Sequence, residues 1–252
     1  MVKYFNFAVA SLAAVLFQIS FAATASAFPV PERLEFELSY IGVPAGYAVQ
    51  EVLQANNEFQ IVSTARSADW LRFFFPVNDR IESFLTLETS AQAVGTPRLY
   101  KERKQEGKTI TDREARFDRQ KLEVTTVDHR NKSEKTDAIT KRTYDTLSSF
   151  FFFRTIPLQV GSSYFIDIFD CKRLWNTEVK VLRREEIITS LGRFKTIVIQ
   201  PLLKSEGIFA RTGDMFIRLT DDERRIPVQM KSKVIVGSIT ATLTGGSYWK
   251  TR

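Results

Sequence analysis

Hydrophobic and polar positions alternate along most of the chain. Over residues 34–40, Leu34, Phe36, Leu38 and Tyr40 are interleaved with Glu35, Glu37 and Ser39. A period of two sends successive side chains to opposite faces of a strand, one buried and one wet. Gly42, Pro44 and Gly46 then punctuate a turn, residues 47–53 open a second strand, and Asn56-Asn57 mark a reversal before a third at 58–65. Similar runs predict strands at 80–88, 97–105, 109–117, 122–127, 164–169, 178–183, 195–203, 215–220, 228–236 and 238–243. The two strands joined by the turn at 105–108 are strongly charged, which predicts a solvated face or an edge position. Residues 221–225 form a polar connection of hairpin length.

Two stretches break the rhythm. Residues 67–75 carry Trp70, Leu71, Phe73, Phe74 and Phe75 and predict a short helix or a loop ending at Pro76. Residues 145–155 start at Asp145, an N-cap type, and run through Leu147 and Phe150–Phe153 before Pro157. They predict the one main helix, of about three turns. No fixed-period repeat and no Gly/Ser- or Pro-rich linker divides the chain. The expected fold is all-β and mainly antiparallel: a strongly curved sheet or open β-barrel, with the main helix packed on the concave side. Curling manages the edges of such a sheet.

The first residues carry a different signal. Lys3 precedes an apolar run from Phe5 to Phe21, no Asp or Glu occurs before Glu32, and Ala25-Ser26-Ala27 has the small-residue cleavage pattern. Residues 1–27 therefore read as a cleaved signal peptide. Residues 28–252 are then one β-rich domain, exported most simply to a periplasm. The residue after the expected cut is Phe28, not Cys, so no N-terminal lipid attachment is indicated. No later segment reaches the length of a membrane-spanning helix.

Composition narrows the chemistry. One His and one Cys leave little material for a Cys/His metal cluster, a redox pair or a disulfide within the chain. Cys171 reads as a small buried hydrophobe. The net charge of +7 is dispersed among pairs of mixed sign, as in Lys101-Glu102-Arg103-Lys104. It forms no basic stripe with stacking aromatics, so nucleic acid is not an expected partner. His129 sits in a charged segment and reads as a surface residue. Asp112, Glu114 and Asp118 each have arginine neighbours, which suggests ion pairing on a wet face over hydrolytic chemistry. Asp221, Asp222 and Glu223 lack the spaced ligands of a calcium loop. Gly42 and Gly46 read as turn glycines, not as a phosphate loop. No enzyme activity, metal or cofactor is expected.

The aromatic runs stand above this background. Phe73–Phe75 and Phe150–Phe153 are consecutive, so neither run fits on a single face of a strand or helix. They are explained by a core shared between two packed layers, or by an apolar cleft for a lipid-like ligand. The candidate ligand-binding residues are Trp70, Phe73, Phe74, Phe75, Phe150, Phe151, Phe152 and Phe153, with Arg80 at the rim.

Four motifs carry a family resemblance. They are Leu38-Ser39-Tyr40-Ile41-Gly42-Val43-Pro44-Ala45-Gly46, Phe75-Pro76-Val77-Asn78-Asp79-Arg80-Ile81-Glu82-Ser83, Ser205-Glu206-Gly207-Ile208-Phe209 and Leu219-Thr220-Asp221-Asp222-Glu223-Arg224-Arg225-Ile226-Pro227-Val228. In this order they resemble the domain-of-unknown-function 3108 family of bacterial exported proteins. A looser likeness, of fold alone, is to the LolA/LolB-like lipoprotein carriers, whose sheet curls around a helix and holds acyl chains. The resemblance implies no catalytic residues. The expected function is non-enzymatic periplasmic binding of a hydrophobic or lipid-like ligand. The alternative is an envelope structural or assembly module acting through protein contacts.

Overall fold

A computed structural model describes residues 29–55, 58–86, 95–202, 215–234 and 236–249. The expected signal peptide, the Asn56-Asn57 reversal and the 205–209 motif lie outside these residues. Among the described residues, fifteen strands form one sheet. In chain order they are β1 (Glu32–Tyr40), β2 (Val43–Ala55), β3 (Glu58–Ser67), β4 (Asn78–Thr86), β5 (Thr96–Glu106), β6 (Thr109–Asp118), β7 (Glu123–Asp128) and β8 (Ser133–Ala138). Then follow β9 (Thr143–Asp145), β10 (Ser163–Phe169), β11 (Leu174–Thr189), β12 (Gly192–Pro201), β13 (Met215–Thr220), β14 (Pro227–Lys233) and β15 (Ser238–Gly246). Helix α1 (Asp69–Arg72) follows β3, and α2 (Thr146–Thr155) follows β9. None of the described helices is long and apolar enough to cross a membrane.

The strand order is β8-β7-β6-β5-β4-β3-β2-β1-β15-β14-β13-β12-β11-β10-β9. The chain meanders from the middle of the sheet to one edge, jumps to the other edge, and returns until β15 pairs with β1. Every pairing is antiparallel except β9 with β10. The jump from β8 to β9 dictates the shape. A flat sheet of fifteen strands would hold its edges about 65 Å apart. The four residues 139–142 span at most about 18 Å. The sheet must therefore curl until its edges approach. Register shifts within β1, β4 and β11 help it bend.

Side chains seal the seam without closing it into a ladder. Arg119 donates to the carbonyls of Pro97 (3.1 Å) and Thr143 (2.7 Å). Thr140 donates to Asp167 (2.8 Å). The sheet remains open, and α2 fills its concave side.

Three local expectations are corrected. Of the two alternatives for the charged strands β5 and β6, a solvated face or an edge, the edge is excluded: both are interior, and the edges are β8 and β9. Strand β8 escapes the alternation reading because its sequence, Ser-Glu-Lys-Thr-Asp-Ala, has almost no apolar member and stays largely exposed. Gly46 lies within β2 rather than in a turn. A Cβ there would overlap the Arg66 carbonyl oxygen, so close strand approach explains that glycine.

Candidate functional site

Helix α2 organises the interior. Asp145 caps it, accepting the amides of Leu147 (2.9 Å) and Ser148 (2.7 Å), while Ser148 Oγ accepts the Asp145 amide (3.1 Å). This reciprocal box fixes the start of the helix. Ser83 on β4 donates to the other Asp145 oxygen at 2.5 Å and so ties the cap to the sheet. Burial raises the Asp145 carboxyl above the usual range. At the far end, Arg154 forms a buried two-point pair with Glu32 on β1, at 2.5 and 2.7 Å.

Buried positions run right around the helix: Leu147, Ser148, Ser149, Phe151, Phe153 and Arg154. That is the signature of a helix enclosed on all sides. The four consecutive phenylalanines divide between two cores. Phe151 packs with Val52, Phe59, Ile61, Leu85 and Tyr100 of the N-terminal strands. Phe153 packs with Ile166, Val179, Ile197 and Ile199 of the C-terminal strands, beside the partly buried Phe152. Phe150 touches both clusters.

Packing is incomplete between α2 and the C-terminal strands. A half-enclosed cavity of about 280 Å³ lies there, lined by Leu147, Phe150, Phe153, Trp175, Ile217 and Met230 among others. For scale, an engineered apolar cavity of about 150 Å³ already admits benzene. Its lining is overwhelmingly apolar, with a few polar groups. Asp170 accepts from Trp175 Nε1 (2.8 Å), and the Arg173 guanidinium stacks over the Trp175 ring at 4.3 Å, so that wall is braced. Gln50, on β2, also lines the cavity. Its amide oxygen is buried and accepts no hydrogen bond among the described residues. An unmet buried acceptor costs about 1–3 kcal/mol. A ligand with a hydroxyl, amine or amide donor would remove that cost.

The concave face becomes polar towards one end of the N-terminal strands. Lys104 pairs with Glu102 (3.0 Å), and Arg113 with Asp128 (2.8 Å). The Asn131 amide, with help from Arg113, lowers the Asp128 carboxyl to about 2. Burial, reinforced by Glu106, raises Asp79 to about 6. The folded protein thus keeps the Asp79 proton between about pH 4 and 6, where an unfolded chain has released it. Stability from this group falls as pH rises through that window and is lost above it. Asp79→Asn keeps an acceptor for the Gln105 amide, now at 3.0 Å. The variant is expected to flatten this slope and to melt no lower than wild type at neutral pH. Melting curves across the window check it, and a clearly lower melting temperature at neutral pH would contradict it.

The sequence-derived site residues do not share one cleft. Phe150 and Phe153 line the cavity. Phe151 is sealed in the core, and Phe152 packs against Tyr144 with ring centres 5.0 Å apart. Trp70, Phe73, Phe74 and Phe75 are exposed around α1 and do not line the cavity. Arg80 points to the convex face, opposite α2, because β4 sends Asp79, Ile81, Ser83 and Leu85 inward; it pairs with Glu82 at 2.8 Å. Trp175, Gln50, Met215 and Met230 were missed. Trp175, Thr177 and Val179 do alternate, but Lys172-Arg173 and Asn176 mask the true start of β11, and the charges after Leu182 mask its length.

The remaining candidates have structural explanations. Glu114 lies beside Lys101 (3.9 Å), Arg116 and His129 (3.8 Å), and Asp112 beside Arg103 (3.6 Å). Asp118 caps its turn through the amides of Gln120 and Lys121. Asp222 does the same for Arg224 and Arg225. Cys171 is buried in the core around Phe151, and burial pushes its thiol up, away from the reactive thiolate.

Comparison with curated proteins gives no match. Among solved structures, the chain is similar to a beta-barrel-like protein of domain of unknown function DUF1849 from Brucella abortus. The TM-score is 0.54 at 12% identity, over 86% of this chain and 97% of the other. At that identity the likeness concerns the fold alone. The family model described as "Protein of unknown function (DUF3108)" matches residues 35–244, most of the chain, and the chain belongs to that family.

Proposed function

We propose that the protein is a non-enzymatic, exported binder of a hydrophobic or lipid-like molecule. The observation that carries this reading is the cavity of about 280 Å³ between α2 and the C-terminal strands. Its volume suits one acyl segment or a compact apolar molecule. Each buried methylene contributes about 0.8 kcal/mol to binding. The unmet Gln50 oxygen favours a ligand that has a donor at one point on an apolar body. The signal-like sequence of residues 1–27 supports a periplasmic address.

Mass spectrometry of solvent extracts from the purified, exported protein tests this. Wild type is expected to carry a stoichiometric apolar molecule, or to take up a fluorescent fatty acid saturably. Val179→Trp and Thr177→Phe fill the cavity and are expected to weaken uptake at least about tenfold, while over-packing costs about 1–3 kcal/mol. A wild type that extracts clean and ignores the probe sinks the reading. A second reading, an envelope module acting through protein contacts, has the exposed Phe73 and Phe74 in its favour. Co-purification with one envelope protein in fixed ratio, without any lipid, would favour it.

A further inference from the structure

In an antiparallel meander alternate connections fall at the same end of the sheet. The β1–β2 turn, the β3–β4 connection with α1, the β5–β6 turn and the β14–β15 turn therefore share one end. Hydrogen bonds tie them into a rim. Trp70 Nε1 donates to the Pro44 carbonyl (3.1 Å), the Gly107 amide to Pro76 (2.8 Å) and the Ile41 amide to Ser238 (3.0 Å). The Tyr40 hydroxyl donates to the Val236 carbonyl at 2.9 Å. Gly107, at φ +62°, lies against the Phe75 ring, where a Cβ would come within 2.8 Å.

This braced rim presents apolar side chains to solvent. Phe73 and Phe74 are 86% and 84% exposed, and Val236, Ile41 and Trp70 are 66%, 58% and 54% exposed. Single exposed apolar residues are ordinary, but a group of large ones at one end of a domain marks an interaction surface. Exposed Arg66, Arg72, Lys108, Lys231 and Lys233 sit in or beside the same connections, and outnumber Asp69 and the half-buried Asp79 and Glu106. The apolar tips come from separate connections, with basic side chains among them. Such points enter a headgroup layer without a matching partner surface, whereas a protein interface needs a close-packed complementary core.

We infer that this end of the sheet docks on an anionic phospholipid bilayer, with Trp70, Phe73 and Phe74 entering the interface and the basic side chains meeting the headgroups. Tryptophan and phenylalanine suit that depth, and each nearby Lys or Arg adds electrostatic attraction that salt weakens. Docking would also bring the cavity towards the lipid. Its lining includes Pro201 at the end of β12 and Met215 at the start of β13, both at this same end of the sheet. The inference does not depend on what fills that cavity.

Flotation of the exported protein with vesicles of phosphatidylcholine, with and without phosphatidylglycerol, tests it. Wild type is expected to float with the anionic vesicles at low salt and to be released as salt rises. Phe73→Ser/Phe74→Ser is expected to bind at least about tenfold more weakly, with an unchanged melting temperature because both side chains are exposed. Arg72→Glu/Lys108→Glu is expected to lose the preference for anionic vesicles. The cavity variant Val179→Trp is expected to float as wild type does, so a failed cavity reading leaves this result standing. A wild type that stays unbound overturns the inference. So does a serine variant that floats undiminished, or a rim that self-associates or captures another protein while ignoring vesicles.

Discussion

Replacing Arg154 by methionine is expected to lower the unfolding free energy by about 3–5 kcal/mol, as breaking a buried ion pair typically does. Arg154 and Glu32 are almost wholly inaccessible, with side-chain exposures of 0% and 1%. Glu32 accepts both guanidinium nitrogens and the Tyr248 hydroxyl (2.5 Å), while Arg154 also donates to the Arg224 carbonyl (3.2 Å). The network joins the end of α2 to the first strand, to the β13–β14 turn and to the C-terminal segment. Among the described residues, removing the arginine leaves the buried Glu32 carboxylate with the Tyr248 hydroxyl and without its paired guanidinium. Glu32→Gln/Arg154→Met removes both charges and is expected to recover much of the loss, because the penalty comes from the orphaned charge rather than from a missing contact. Guanidinium unfolding of the two single variants and the double variant checks this. A single-variant loss below about 1 kcal/mol would show that water reaches the pair.

Phe151→Ala is expected to cost about 3–5 kcal/mol, and Phe73→Ala less than about 0.5 kcal/mol. Phe151 is fully buried, meets Phe150 edge-to-face with ring centres 5.6 Å apart, and lies under the Arg154 guanidinium at 5.2 Å. Its truncation opens a cavity where two half-sheets meet a helix, which cannot collapse to fill it. Phe73 contributes to no buried cluster, so its truncation removes little that folding gained. Paired denaturant melts decide the point. Comparable losses at the two positions would mean that the α1 region packs against the core in solution.

That contrast shows how far the sequence could be read. Both phenylalanine runs are apolar and consecutive, and each precedes a proline within a few residues. The two runs themselves are alike, yet one threads the interior and the other stands in solvent. The start of α2 was legible because capping is local: Asp145 and Ser148 satisfy amides within four residues of chain. Glu32 was visible only as the first acidic residue, and Arg154 only as the charge ending an apolar burst. Their meeting across 122 positions leaves no periodic trace.

By itself the sequence determined the all-β class, most of the strands, the one main helix and the family. Each rests on short-range physics: a two-residue side-chain period, a cap within one helical turn, a turn chemistry. Tertiary structure alone decided which strands border the sheet, which way Arg80 faces, and where packing fails and leaves a cavity. Those depend on the four-residue jump from β8 to β9, which forces fifteen strands to curl around α2. Curvature then fixes which apolar side chains find partners, and a pattern along the chain carries no record of curvature.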